Sequence, residues 1–330
     1  MVIPRFPPRR FRWEAAVGRW VYLSIQLSRP ECQDDRPKSH WKFSKLANTP
    51  AQTTIDSMKD SPLPAMLNLA TELASEAASI SLAQFGKSVA QRKADDSVVT
   101  DTDYAIQAHI VERIGEAYPD HAVLAEESSG GEGERRDSTK ARYVWVVDPL
   151  DATRNYASGL ACFATSIAVL DHATPVVGVV YEHNLRHLYT AVAGGGAFLN
   201  GRAIHVAEPP ASHDHLIGIP SSKDELTVRV LRSWVGTKGL ILRNLGAATV
   251  HLAMVASGAL EAAYGKQTKI WDIAAGVLLI REAGGLITDP SGGDLLPFDL
   301  TADPNLDLPF LAGGPTMHGR LLQLVQELGK

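Results

Sequence analysis

The chain has 330 residues, 45% of them hydrophobic and 21% charged, with a formal net charge of −5; such a length and composition suit an ordinary soluble globular protein with a substantial core, built as one two-lobed domain or two joined ones. The charge is uneven, because residues 1–60 hold 11 Lys+Arg against 6 Asp+Glu, leaving 21 against 31 in the remainder, which argues against nucleic acid as the principal ligand of the folded part. Cys32 and Cys162 are the whole cysteine complement, so neither a disulfide framework nor a cysteine zinc site is expected and a reducing cytoplasm fits; no apolar run approaches the roughly 20 residues that span a bilayer, and no membrane partner is expected.

Residues 1–60 carry five Arg by position 19, several Pro and scattered Trp, without a sustained period. Pro7-Pro8 spoils the amphipathic helix of a transit peptide, and the segment reads as a disordered extension or an over-long start, with Met58 or Met66 the true beginning. After Pro62 and Pro64, Leu69, Leu73, Ala77 and Ile80 recur at helical spacing up to Gly86. A polar loop over 91–100 leads into a second helix near 103–117, with Ile106, Ile110 and Ile114 on one face, Pro119 at its end and Asp103 in its first turn. Short apolar strands are expected at 122–125 and 143–147, separated by an exposed Gly/Glu/Arg-rich loop, 128–140.

Strands at 164–170, 176–181 and 188–192 read as antiparallel neighbours, followed by turns at Gly194-Gly195-Gly196 and Asn200-Gly201. From 207 onward strands and helices alternate: a strand at 216–219, helices near 224–235, 247–257 and 271–283, a strand at 309–312 and a helix at 315–328. The expected organisation is an N-terminal extension over 1–60, an α+β lobe over 61–206 with most of the site, and an α/β lobe over 207–330.

The chemistry centres on Asp148-Pro149-Leu150-Asp151-Ala152-Thr153, where the apolar run 143–147 ends. Two carboxylates separated by a rigid proline, then small residues and a threonine, suit a divalent-cation site that also receives a phosphate. Asp103, Glu126-Glu127 and Trp271-Asp272 supply further acids. Carboxylates gathered in one cleft repel by about 4 kcal/mol per close pair at an effective dielectric near 20, so a cation must sit between them. Oxygen donors without matching His or Cys select Mg²⁺, with Mn²⁺ as a substitute, over Zn²⁺. Two or three ions would polarise a phosphate ester, stabilise the leaving alkoxide and acidify a bound water.

Each signal has a plainer reading when taken alone: Glu126-Glu127 as a solvated pair, Trp271-Asp272 as a helix start, Asp148-Pro149 as a turn. The Gly194 run lacks the Lys-Ser/Thr of a phosphate loop and reads as a hairpin turn. Asp101-Thr102-Asp103 suggests an aspartyl nucleophile only faintly, since no apolar strand is evident before it and a helix follows. No Gly-x-Ser-x-Gly motif occurs, and His183 and His251 read as surface or satisfied core residues rather than ligands.

In combination, Glu126-Glu127, Asp148-Pro149-Leu150-Asp151-x-Thr153-x-Asn155-Tyr156, and Trp271-Asp272 followed after eleven residues by Gly284-Gly285 resemble the signature of the inositol monophosphatase family, a branch of the Mg²⁺-dependent, lithium-sensitive phosphatases. The segments 93–103, 194–201 and 243–248 add to the likeness, which runs from about Met66 to the C-terminus. The resemblance implies an α+β fold, the layered α-β-α-β-α sandwich shared with fructose-1,6-bisphosphatase, and a small phosphorylated metabolite as partner. It implies that Glu126, Asp148 and the Leu150 carbonyl hold one ion and Asp148, Asp151 and Asp272 a second, with a third leaning on Glu126. Asp103 and Thr153 then orient and deprotonate the attacking water, and the N–H groups of Ala152 and Thr153 cradle the phosphate with Asp151 and Asp272 alongside. Gly246 and Ala247 touch the alcohol, and Lys93, with Glu127, belongs to the loop that closes over the site. Inositol 1-phosphate leads the implied substrates, ahead of histidinol phosphate, fructose 1,6-bisphosphate and 3′-phosphoadenosine 5′-phosphate. A homodimer is expected from the same likeness, and a regulatory scaffold with weakened catalysis is the non-enzymatic alternative.

Two departures stand out. The family usually has Gly where this chain has Ala152, which is harmless only if φ is negative there. Inositol-hydrolysing members often place a Glu seven residues before the Trp-Asp aspartate, where this chain has Gly265 beside Lys266 and Gln267, removing an acceptor for ring hydroxyls.

Overall fold

A computed structural model describes residues 61–93, 97–127, 137–208, 214–222 and 224–328. The extension expected over 1–60 and most of the loop expected over 128–140 lie outside the described residues. Helix α1 (Leu63–Gln84) starts with proline in its first turn and buries Met66, Ala70, Leu73 and Ala77. It stops just before Gly86, whose φ of 76° continues no right-handed helix. The expected polar loop over 91–100 is instead a small hairpin, β1 (Ala90–Arg92) antiparallel to β2 (Val98–Thr100). A three-residue strand therefore does precede Asp101, contrary to expectation; three-residue arms are too short to show a period. Helix α2 (Asp101–Ala117) follows, buries Ile106, Ile110 and Ile114, and is capped by Thr100 and Asp103.

A seven-stranded sheet comes next: β3 (Ala122–Ala125), β4 (Tyr143–Asp151), β5 (Ala164–Asp171), β6 (Thr174–Glu182), β7 (His187–Val192), β8 (Gly196–Leu199) and β9 (Arg202–Ala203), neighbours in that order. Only β3 and β4 run parallel; the other pairs are antiparallel. Both faces are buried, and the side chains alternate between them. Val123, Ala125, Trp145, Val147, Ile167 and Val169 pack beneath α1 and α2. Ala122, Leu124, Val144, Val146, Ala168 and Leu170 face the other way, into the central core.

Helix α3 (Thr153–Ala157) caps the end of β4. A second sheet has strand order β11-β10-β12-β14-β13, from β10 (His215–Gly218), β11 (Leu240–Arg243), β12 (Ala262–Gly265), β13 (Leu286–Thr288) and β14 (Phe310–Gly313). Helices α4 (Glu225–Val235) and α7 (Pro315–Leu328) cover its outer face through Val230, Trp234, Met317, Leu321 and Val325. Helices α5 (Ala248–Ala256) and α6 (Ile270–Glu282) are apolar nearly all round because they lie between the sheets. The layers thus run α1/α2, seven-stranded sheet, α5/α6, five-stranded sheet, α4/α7, the expected α-β-α-β-α sandwich. The sheets divide between residues 203 and 215, while α5 and α6 pack in one core with strands of both halves.

Candidate active site

Strand β4 delivers the two motif aspartates. Asp148 pairs with Ser166 on β5 and Asp151 with Ala164, so three steps along β4 match two along β5. This bulge at Pro149-Leu150 is held from both sides: the Leu150 N–H donates to Asp148 Oδ1 at 3.0 Å, and Thr165 Oγ1 donates to the Pro149 carbonyl at 2.8 Å. His183 stands behind Thr165, with Nε2 3.0 Å from Thr165 Oγ1 and Nδ1 2.6 Å from Ser81 Oγ on α1. Thr165 gives its hydrogen to Pro149, so His183 donates to it from Nε2, while Nδ1 faces the Ser81 hydroxyl, which also reaches the Ala78 carbonyl at 3.1 Å. Burial pushes its pKa down to about 3, and the satisfied-core reading of this histidine holds.

Helix α6 supplies Asp272 from its first turn, where one oxygen accepts from the Lys269 N–H at 2.7 Å. Ser166, opposite Asp148, donates to the Trp271 carbonyl at 3.2 Å and so ties the start of α6 to the motif strand. One carboxylate oxygen from each of Asp148, Asp151 and Asp272 lies within 4.8 Å of the others. Asp148 is fully buried, and Asp151 and Asp272 are half-buried. Burial raises all three pKa values; the Glu126 and Asp151 charges add to the effect at Asp148, and the Asp151 charge at Asp272. Such a cluster is costly as three anions and is relieved by a cation. The donors fit Mg²⁺ or Mn²⁺: all are hard oxygens, closely spaced, with no nitrogen or sulfur among them.

Glu126 follows β3 and lies outside that trio, although its charge acts on Asp148 and the Asp272 charge acts on it. Burial, then the charges of Asp272 and Glu127, raise its pKa. Lys93 offsets this, with Nζ 3.6 Å from Glu126 and 2.7 Å from Glu127. Burial opposes protonation of Lys93, yet the Glu126 and Glu127 charges leave its pKa raised. Glu127 is buried, and its N–H donates to Gln107 Oε1 at 2.7 Å.

Asp103 and Thr153 meet as expected: Thr153 Oγ1 lies 2.8 Å from Asp103 Oδ1 and 3.0 Å from the Leu150 carbonyl. Asp103 Oδ2 accepts from the Thr100 N–H at 2.9 Å and the Thr100 hydroxyl at 2.5 Å. The carboxylate is completely buried and its pKa is raised by that burial, with the Thr100 and Thr153 hydrogen bonds pulling the other way.

Ala152 has φ 68° and ψ 42°, the left-handed region, so the condition for a harmless alanine is not met. Its Cβ crowds the following carbonyl at a cost of about 1–2 kcal/mol. Its N–H reaches the carboxylate of Asp151, which also accepts from the Thr249 N–H at 3.0 Å and the Thr249 hydroxyl at 2.5 Å. Thr249 is a site residue that no sequence signal singled out. Asn155 belongs to the motif, which by itself assigns it no role: its Nδ2 donates to the carbonyls of Cys162 and Leu245, both at 2.8 Å, clamping the turn before Gly246. Gly246 has φ 69° and lies so close to Asn155 that a Cβ there would stand 3.0 Å from Oδ1.

Asp151, Gly246, Ala247 and Asp272 open onto a cleft of about 480 Å³. Gly265 lines it from β12, and a Cβ at that position would fall 2.2 Å from a ring carbon of Phe310, so Phe310 occupies the space of the missing side chain. A second cavity of similar volume, bounded by Leu124, Phe298, Leu306 and Leu308, contains none of the candidate site residues.

The inositol monophosphatase family model matches residues 63–330. Phosphatase IMPL1, chloroplastic, of Arabidopsis thaliana is 35% identical over 240 residues, 69% of this chain and 61% of that protein, so the likeness spans under two thirds of the plant protein's length. Nus factor SuhB of Haemophilus influenzae is 34% identical over 236 residues, 69% of this chain and 86% of that one. The crystal structure of extragenic suppressor protein suhB from Bartonella henselae superposes with a TM-score of 0.70 at 29% identity, covering 79% of this chain and 98% of that one. Motif, architecture and matched length agree: the chain belongs to the inositol monophosphatase family, a family of phosphoric monoester hydrolases.

Proposed function

We propose that the protein hydrolyses a small phosphate monoester with Mg²⁺, by direct attack of a bound water. The observation that carries this reading is the convergence of Asp148, Asp151 and Asp272 within 4.8 Å, beside an Asp103–Thr153 hydrogen bond and a cleft. Asp148 and Asp151, with Asp272, Glu126 and the Leu150 carbonyl, would hold two or three ions, which when bound polarise the ester and acidify water. Thr153 hands its hydrogen to Asp103, so its oxygen is left to accept from the attacking water and the buried carboxylate is the final proton acceptor. The Thr153 N–H and, where Asp151 releases it, the Ala152 N–H face the phosphate at the start of α3. Gly246 and Ala247 border the alcohol, and Lys93 and Glu127 buttress Glu126. Inositol 1-phosphate is the family-level ester to assay first, with histidinol phosphate, fructose 1,6-bisphosphate and 3′-phosphoadenosine 5′-phosphate as alternatives. A cytoplasmic homodimer belongs to the same reading.

The test measures phosphate released by the purified chain from these esters with Mg²⁺, with a chelator, and with millimolar Li⁺. Release that the chelator abolishes and Li⁺ inhibits is expected, and Asp148→Asn or Asp272→Asn should remove nearly all of it while the fold is kept. Wild-type turnover in either variant would reject the metal assignment. The strained Ala152 favours a second reading, a binding scaffold on the same fold; it predicts no release from any ester at any Mg²⁺ concentration.

A further inference from the structure

The cleft beside the acidic trio differs in charge from one built for a neutral polyol. Besides Asp151 and Asp272, the ionisable side chains lining it among the described residues are Arg154, Lys266, His251 and Tyr264, the last kept neutral because burial raises its pKa. His251 contributes no cation: it is buried, its Nε2 accepts from the Leu245 N–H at 3.2 Å, and burial pushes its pKa down to about 4. Arg154, on α3, is exposed, and Lys266, just past β12, is half-buried. They reach the cleft from different elements and give it two positive charges that the metal site does not use. Asp224 is near enough to Lys266 to feel its charge, but it faces its own helix: Oδ1 caps α4 by accepting from the Thr227 N–H, and Oδ2 accepts from Ser222 Oγ.

The wall across the cleft is equally specific. At Gly265 no carboxylate is present to accept from ring hydroxyls, and Phe310, 1% exposed, fills the space one would need. A polyol seated there would lose that carboxylate and keep only neutral partners such as Ser221, Asn244 and Gln267, and the acceptors built into a site are what discriminate most strongly between substrates. An anion on the alcohol would instead meet the guanidinium and the ammonium, whose charge-assisted hydrogen bonds are the stronger kind.

We infer that the alcohol half of the substrate carries a second anionic group, a phosphate or a carboxylate, seated between Arg154 and Lys266 while the scissile phosphate lies on the acidic cluster. This rests on the phosphatase reading and narrows it, favouring bisphosphates and phosphorylated acids over esters of neutral polyols such as inositol 1-phosphate.

The experiment compares kcat/KM of the full chain with Mg²⁺ on matched pairs: fructose 1,6-bisphosphate against fructose 1-phosphate, and 2-phosphoglycerate against glycerol 2-phosphate. The charged member should be preferred by about tenfold or more, and the preference should shrink as salt screens it. In the Arg154→Gln/Lys266→Gln double variant, checked for an unaltered melting curve, the ratio should fall toward one. A neutral ester turned over as well as its charged counterpart, or a preference that survives in the folded double variant, overturns the inference and leaves the phosphatase reading standing. If neither these esters nor inositol 1-phosphate, histidinol phosphate or 3′-phosphoadenosine 5′-phosphate is hydrolysed, the phosphatase reading fails and this inference falls with it.

Discussion

Position 265 gives a direct test of how the cleft is built. A methyl group added there would sit 2.2 Å from Phe310 Cε1 and 2.7 Å from Cδ1 and Cζ, where carbon atoms normally rest about 3.5–4.0 Å apart. Phe310 is 1% exposed on β14, and Gly265 pairs with it across the sheet, so neither backbone can easily retreat. Gly265→Ala should therefore cost about 2 kcal/mol, within the usual range for overpacking. For a domain somewhat larger than 200 residues that lowers Tm by about 4–8 °C. Phe310→Leu alone leaves a gap and costs about 1–2 kcal/mol. Together the two changes relieve each other, so the double variant should be more stable than the sum of the single losses predicts, by about 1 kcal/mol or more. Denaturant unfolding of the four proteins, compared at constant m, measures that coupling. Strict additivity would mean that Phe310 does not fill the place of the absent side chain, and the account of the cleft wall would fail with it.

Other expectations concern the metal site and its supports. Folding raises the pKa of Asp148, Asp151, Asp272 and Glu126, so the folded chain holds these protons more tightly than the unfolded one. The resulting penalty is absent below the unfolded carboxyl pKa of about 4, grows as pH rises, and is complete above the raised values. Metal-free protein should thus melt higher near about pH 6 than about pH 8, and Mg²⁺ should close the gap; a metal-free Tm that rises with pH over that interval contradicts the clustering. Ala152→Gly sheds about 1 kcal/mol or more of left-handed strain and loses part of that to the freer unfolded chain, so calorimetry should find a small gain with kcat/KM kept; a sharp loss of activity would show that the methyl has a role of its own. His183→Leu removes the imidazole between Ser81 and Thr165, whose hydroxyls keep the Ala78 and Pro149 carbonyls as acceptors, and should cost about 1–2 kcal/mol through the lost hydrogen bonds, with weaker Mg²⁺ binding by titration calorimetry because Thr165 loses its support behind Pro149. Normal affinity in that variant would make His183 a packing residue alone.

Asp148, Asp151 and Asp272, which the structure brings within 4.8 Å of one another, were legible in the sequence because Asp-Pro-x-Asp and Trp-Asp are dense signals in short windows. Long elements were legible too: α1, α2 and α6 announce themselves by apolar residues at helical spacing, and β5 and β6 by continuous apolar runs. Strands β1, β2, β9 and β13, of two or three residues each, were missed, as were the four-residue β8, β11 and β12, the last of which, Ala-Ala-Tyr-Gly, holds no run of large apolar groups because its neighbours press so close. Thr249, Asn155 and His183 escaped as functional supports because their partners lie 98, 90 and 102 residues away in sequence, at Asp151, Leu245 and Ser81. Nothing local in a lone threonine, asparagine or histidine reports such a partner. The sign of φ at Ala152 was likewise invisible, since residue type gives a preference and the sharp exit from β4 toward α3 imposed the opposite.

The bulge in β4 has a consequence for how the active site and the scaffold can fail. Along an unbroken strand, positions an odd number of residues apart point to opposite sides, so Asp148 and Asp151 would be back to back. The extra residue between them corrects that parity, and both end on one side. Catalytic competence therefore hangs on a count of residues. Regularising the ladder instead, by one residue added to β5 opposite Pro149-Leu150 so that three steps match three, would aim one of the two carboxylates away from its companions and leave the cluster unable to gather around an ion.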